Sequence, residues 1–174
     1  MAIRLTGVTD VEAYREYAAS RLDGLRRTAY LLCGDWHTAD DLVSTVLVRV
    51  LRHWRRVSRM DNPDGYARRI LLRAWLDERR RPWRREYATA TPPERAHRGD
   101  IDAVVDHLTV VGLLGQLPAR RRAVLVLRYF CDLSVQETAA VLNCSEGNVK
   151  SQTSRALDTL RTRMTTVPAM EEQR

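Results

Sequence analysis

Apolar residues recur every three or four positions along the front of the chain, which is the spacing of an amphipathic helix. The first such stretch runs from Val11 to Leu32, and Gly34 is placed to end it. A second stretch has Thr38 as its expected N-cap. The apolar stripe of this second helix consists of Leu42, Val46, Val50 and Trp54. The pattern therefore predicts two consecutive helices, each with one apolar face.

A loop over residues 57–61 separates these helices from a third. Asn62 followed by Pro63 is a strong helix start, because asparagine caps well and proline fits the first helical position. The third helix is predicted to reach about Arg81, where Pro82 stops it. Its end is rich in arginine and tryptophan, with Trp75, Arg79, Arg80, Trp83, Arg84 and Arg85.

Residues 88–109 differ in character from what precedes and follows them. Thr91-Pro92-Pro93 breaks regular structure, and residues 89–109 carry four acidic side chains against two arginines. We expect a flexible acidic linker between two small helical domains of an all-α protein, with boundaries at 10–87, 88–109 and 110–163. Helical patterning resumes over 110–117, and Pro118 opens a further helix whose apolar side comprises Val124, Leu127 and Phe130.

The clearest motif lies in residues 134–161. Ser134 and Glu137 have the spacing of a capping box. Asn143 suits the left-handed residue that ends a helix, and Ser145 can cap the next one. Two helices joined by so short a turn predict a helix-turn-helix.

The second helix of this motif has two distinct faces. Val149, Thr153, Ala156, Leu157 and Leu160 are expected to pack inward. The opposite face carries Asn148, Ser151, Gln152 and Arg155. Asparagine and glutamine can pair with adenine and arginine with guanine, so this face suits the DNA major groove. Two ordinary packed helices with a polar outer face are the alternative.

Composition favours nucleic acid as a partner. The 174 residues carry a formal net charge of +7, and Lys150 is the only lysine among 29 basic residues. A basic protein of this size more often meets nucleic acid than not. No apolar run approaches the length of a membrane span, and the N-terminus has no signal-peptide core, so we expect a cytoplasmic protein without membrane insertion.

Catalytic and metal sites find little support in the sequence. Cys33, Cys131 and Cys144 are too scattered for a disulfide framework, and no metal or cofactor is expected. Asp40 and Asp41 are adjacent and so point to different sides of a helix. The chain is expected not to be an enzyme.

Several segments together resemble the extracytoplasmic-function (ECF) sigma factors of the sigma-70 family, and most of all the SigE-type group of actinobacteria. Residues 117–130 (LPARRRAVLVLRYF), 133–139 (LSVQETA) and 145–151 (SEGNVKS) are similar to the family's fourth conserved region. Residues 40–43 (DDLV) are similar to the second, and 62–69 (NPDGYARR) to the segment that follows it. The resemblance covers about residues 10–87 and 110–163.

This resemblance implies a sigma factor that directs RNA polymerase core to specific promoters and assists DNA opening. It implies contacts with the β′ clamp and the β flap of polymerase and with promoter DNA, and an anti-sigma factor is a further candidate partner. The second helix would contact polymerase through Asp41, Ser44, Thr45, Val48, Arg49 and Arg52. The −10 element would meet Arg59, Asn62, Arg68, Arg69, Arg73, Arg79 and Arg80. The −35 element would meet Ser145, Asn148, Lys150, Ser151, Gln152 and Arg155.

The chain departs from the family pattern at a few positions. Ser44 stands where glutamine is frequent, and Arg73 where asparagine is frequent. Two other interpretations of the sequence remain open. A stand-alone helix-turn-helix regulator would need a dimerisation surface, and a nuclease would need convergent acidic metal ligands. The sequence presents neither a heptad seam nor such a cluster.

Overall fold

The computed structural model describes residues 8–80 and 110–166, and the side chains of residues 10–80 and 110–164. The front half consists of α1 (Val8–Cys33), α2 (Trp36–Arg52), the single turn α3 (Trp54–Val57) and α4 (Pro63–Arg80). The back half begins with helical residues 110–115, designated α5. It continues with α6 (Ala119–Leu125), a π-helical turn (Val126–Phe130), α7 (Val135–Leu142) and α8 (Glu146–Thr166).

Over the described residues the all-α prediction is confirmed, with helices before and after the predicted linker. The linker predicted over 88–109 lies outside the described residues. So do Trp83 and the arginines that follow Arg80.

The start of α2 differs from the prediction. Its N-cap is Asp35, not Thr38, and the helix begins at Trp36. The Asp35 carboxylate accepts hydrogen bonds from the Thr38 backbone N–H at 2.8 Å and from the Thr38 hydroxyl at 2.6 Å. Burial opposes ionisation of Asp35, but these bonds outweigh it and lower the pKa of the carboxyl group. Thr38 is thus a buried residue inside the first turn, where its hydroxyl supports the cap.

Aromatic side chains hold the front half together. Trp54 is buried and packs edge-on against Tyr14, with ring centroids 5.6 Å apart. The Tyr14 hydroxyl donates a hydrogen bond to the Leu47 carbonyl at 3.1 Å, which joins α1 to α2. Trp75 is 2% exposed and belongs to the core, so the tryptophan that the sequence placed among arginines serves packing. Arg79 lies over its ring at 5.6 Å, an arrangement that favours the cation.

One hydrophobic cluster extends through both halves. It joins Leu32 and Leu71 of the front to Leu127 and Val141 of the back. The back half also has a small cluster of its own, formed by Val124, Ala139 and Val149. The halves are therefore packed on each other as well as on themselves.

A candidate promoter and polymerase interface

The helix-turn-helix has the local structure that its caps predict. The Glu137 N–H donates to Ser134 Oγ at 3.1 Å, and the Ser134 N–H donates to Glu137 Oε2 at 2.8 Å. These hydrogen bonds lower the pKa of Glu137. Asn143 has a φ of 52° in the left-handed region, and its N–H bonds to the Ala139 carbonyl, which ends α7. Ser145 Oγ accepts from the Asn148 N–H at 3.2 Å and starts α8.

The two faces of α8 are divided as expected. Val149 and Ala156 are fully buried, and Thr153, Leu157 and Leu160 are partly buried. The candidate −35 residues lie on the other side. Ser145, Asn148, Lys150, Ser151 and Arg155 are exposed, and Gln152 is half-buried. Asn148, Ser151, Gln152 and Arg155 therefore share one helix face, with Ser145 at its N-terminal end, whereas Lys150 lies outside that face.

The candidate polymerase residues also share an open face, on α2. Asp41, Ser44, Val48, Arg49 and Arg52 are exposed, and Thr45 is half-buried. Val48 is 44% exposed and is the apolar member of an otherwise polar face. Opposite it, Val46 and Val50 are fully buried. Single exposed apolar residues are common on protein surfaces, so Val48 offers contact area without by itself marking an interface.

The candidate −10 residues lie mostly on open surface. Arg59, Asn62, Arg73, Arg79 and Arg80 are exposed. Arg68 is half-buried, and the Arg69 guanidinium, though exposed, donates through Nη2 to the Ala140 carbonyl of α7 at 3.1 Å. The predicted group is therefore open to solvent apart from Arg68, and Arg69 is also bonded to the back half.

Asn62 has a structural role that explains its identity without DNA. Its side-chain oxygen accepts the Gly65 N–H at 2.7 Å and so caps α4. A Cβ on residue 65 would lie 2.8 Å from the Asn62 amide nitrogen, so a larger residue there would displace the capping side chain. The cap leaves the amide nitrogen of Asn62 available as a donor.

A cleft of about 320 Å³ lies beside Asn62 and between the two halves. Its front wall includes Arg56, Met60 and Tyr66, none of which the sequence analysis assigned to a site. Its back wall includes Glu137 and Val141. Tyr66 follows the capping residue Asn62 by four positions, and this helical spacing is the signal that could have placed both side chains in one cleft.

Comparison with known proteins identifies the family to which both halves belong. Residues 18–85 match the family described as Sigma-70 region 2, and residues 107–160 match Sigma-70, region 4. The RNA polymerase sigma-E factor of Streptomyces avermitilis is 33% identical over 156 residues, which is 87% of this chain and 85% of that protein. The chain belongs to the sigma-70 family of RNA polymerase sigma factors. Within the family it is an ECF sigma factor.

Other relatives support the same placement. The ECF sigma factor SigL of Mycobacterium tuberculosis is 31% identical, over 91% of this chain and 93% of that protein. Among solved structures, the sigma factor RpoE of Bartonella quintana, co-crystallised with the anti-sigma factor NepR, matches with a TM-score of 0.73 and 21% identity. That match covers 90% of this chain and 99% of RpoE. CnrH, in complex with the cytosolic domain of CnrY, matches with a TM-score of 0.66 and 23% identity over 90% of each chain.

Family membership decides the biochemical role. The chain directs RNA polymerase core to promoters, binds promoter DNA and acts in transcription initiation. The stand-alone regulator and the nuclease are thereby set aside. Over the residues that the structure covers, no helix is long and apolar enough to span a membrane.

Proposed function

We propose that this ECF sigma factor divides its work among three surfaces: the α2 face for polymerase, the loop before α4 with the α4 arginines for the −10 element, and the α8 face for the −35 element. The boundaries 10–87 and 110–163 would define the two working domains. The observation that carries the proposal is the outward orientation of the α2 and α8 residues, opposite buried faces of the same helices.

The α2 face would dock on the β′ clamp. Val48 supplies apolar area, and Asp41, Arg49 and Arg52 supply charges that fix orientation and accelerate encounter. The back half would contact the β flap while α8 lies on DNA. The anti-sigma factor NepR accompanies RpoE in its solved structure, and we propose that a comparable inhibitor binds this chain.

The α8 face would read bases directly. Arg155, Gln152 and Asn148 have the side chains that pair with guanine and adenine edges. Lys150 projects beside this face and would contact phosphate. These roles need no chemistry at a catalytic centre, so we propose a non-enzymatic protein that acts in the cytoplasm, where its polymerase partner works.

Co-purification with polymerase core tests the α2 assignment. Asp41→Arg combined with Val48→Glu should abolish co-purification, because it reverses one charge and places another where apolar contact is needed. Leu22→Glu combined with Asp23→Arg makes the same two kinds of change at exposed positions of α1 and should retain it. Equal helicity by circular dichroism is the control for folding. Retained binding by the α2 variant would refute the assignment.

A further inference from the structure

The outward side of α8 carries a serine that is absent from the predicted −35 group. Val149 and Ala156 are fully buried, and successive residues of an α-helix are rotated by about 100° around its axis. Ser151 lies two positions after Val149. Ser154 lies two positions before Ala156, so both serines point nearly away from the buried side. Both are exposed, and Ser154 therefore lies with Ser151 on the part of α8 that can face DNA.

The Ser154 hydroxyl is engaged with a carboxylate one turn further along α8. Its Oγ lies 3.4 Å from Asp158 Oδ2. A carboxylate has no proton to donate, so Ser154 is the donor. The other oxygen, Asp158 Oδ1, pairs with Arg161 Nη1 at 3.2 Å. Asp158 is thus held from both sides, by a hydroxyl on one oxygen and a guanidinium on the other.

This arrangement determines what Ser154 can offer to a base. A hydroxyl has one proton and two lone pairs. Because its proton is directed to Asp158, Ser154 Oγ presents only lone pairs to an approaching base edge. In the major groove, adenine and cytosine carry the amino donors N6 and N4, whereas guanine and thymine carry the carbonyl oxygens O6 and O4. A hydroxyl that can only accept therefore favours adenine or cytosine.

We propose that Ser154 is a specificity-determining residue that accepts a hydrogen bond from adenine or cytosine in the −35 element, and that Asp158 is the positioning residue that makes it an acceptor. The proposal rests on the assignment of α8 to the −35 element, and adds to it a residue and a rule of base preference. Arg155, the next residue, has only donors and suits guanine. The two neighbours would thus select different bases at different positions.

Selection from a randomised −35 library by the holoenzyme measures the preference at each position. The parent chain should enrich adenine or cytosine at one position. Ser154→Ala should reduce that enrichment by roughly two- to ten-fold, which is the effect of losing one hydrogen bond. Ser154 is exposed, so the variant should fold normally, and equal helicity by circular dichroism checks this.

Asp158→Asn tests the positioning role. When Arg161 keeps the amide oxygen, the amide nitrogen faces Ser154 and donates to it, which frees the hydroxyl proton for a base acceptor. The enrichment at the Ser154 position should then move from adenine or cytosine toward guanine or thymine. Loss of a negative charge should also raise the affinity for every sequence alike, so the base preference is the decisive measurement. In a Ser154→Ala background, Asp158→Asn should leave the preference unchanged, because Asp158 acts only through Ser154.

The chain offers a matched control for the lost charge. Asp77 and Arg80 form an exposed pair on α4, at the same i,i+3 spacing and with 3.9 Å between nitrogen and oxygen. Asp77→Asn therefore removes a carboxylate from a comparable pair on another helix. It should leave the −35 preference as in the parent chain.

Three results would overturn the proposal. They are an unchanged preference in Ser154→Ala, an unchanged preference in Asp158→Asn, and an effect of Asp158→Asn that persists in the Ser154→Ala background. A −35 preference that responds to Arg155→Ala but not to Ser154→Ala would reject this inference and leave the assignment of α8 standing. A parent holoenzyme that selects no −35 sequence would reject both.

Discussion

The two candidate DNA surfaces of this sigma factor carry similar chemistry in different surroundings. The α8 face is open along its length, with Arg155 exposed and Val149 buried behind it. On α4, Arg69 has the same guanidinium but donates it to the backbone of α7. The difference teaches that residue type indicates what a surface can bind, whereas the tertiary structure decides which of its side chains already have a partner.

The largest effect is expected on the open surface. In holoenzyme, Arg155→Ala should cost roughly 1–3 kcal/mol and relax preference at one −35 position, because a base-edge contact is lost. Lys150→Ala should weaken all sequences alike and lower the salt slope by about one unit. Selection from a randomised −35 library separates the two outcomes. A −35 sequence unchanged by Arg155→Ala, or changed by Lys150→Ala, would contradict the roles proposed for these two side chains.

A second prediction concerns the capping box that starts α7, the helix packed against α8. Ser134→Ala should reduce the stability of the back half by about 1 kcal/mol, because the Glu137 N–H loses its acceptor. The pKa of Glu137 is lowered in the folded chain, so its contribution is present above the unfolded pKa and is lost as pH falls through the folded one. Chemical denaturation at neutral pH and near pH 3 measures this loss. In Glu137→Gln, the difference in unfolding free energy between the two pH values should be smaller than in the parent chain. An equal difference would mean that other carboxylates cause the loss of stability in acid.

Two exposed arginines on α4 differ in whether they are bonded to α7. Arg69→Ala and Arg73→Ala should each weaken holoenzyme binding to −10 DNA, since each removes a candidate phosphate contact. In the free chain only Arg69→Ala should speed hydrogen exchange in α7, by up to about five-fold, because a bond worth about 1 kcal/mol or less is lost. Arg73 is exposed and serves as the matched control. Equal exchange in both variants would argue against the α4–α7 contact in solution.

The smallest effect is expected from glycine at the turn that joins α7 to α8. Asn143→Gly should stabilise the back half by a few tenths of a kcal/mol, because glycine adopts a φ of 52° without strain. Asn143→Ala should destabilise it by about 1 kcal/mol. Thermal unfolding of both variants gives the sign and the size. Destabilisation by glycine would mean that the asparagine side chain has a role beyond its backbone conformation.

Local structure was predictable wherever it depends on nearby residues. The capping box at Ser134, the left-handed Asn143 and the Asn62 cap each follow from side chains within a few positions. The start of α2 was mispredicted because Asp35 and Thr38 are both good caps. In the structure Asp35 is the N-cap and Thr38 is buried in the first turn. Phe130 was expected to pack inward but is 50% exposed, since it is the last residue of a π-helical turn, whose wider winding takes it off the face defined by the α-helical spacing of Val124 and Leu127.

Relations between the halves were beyond the reach of the sequence. Arg122 stands in a run of three arginines, and nothing in that run distinguishes the buried one from its exposed neighbour Arg120. The Arg69–Ala140 bond joins positions 71 residues apart. Its acceptor is a backbone carbonyl, which any residue at position 140 would provide. Such contacts can be recognised only in the three-dimensional structure.

Buried Arg122 has a consequence for laboratory evolution. Burying a guanidinium with an unpaired Nε is costly, and replacing such a group by a well-packed apolar residue often stabilises a fold. A selection for heat resistance should therefore favour Arg122→Met or Arg122→Leu. Its survivors would lose the hydrogen bond that Arg122 donates to the Leu32 carbonyl, so the stability that they gain would measure how far the cost of burying the charge exceeds the worth of that bond.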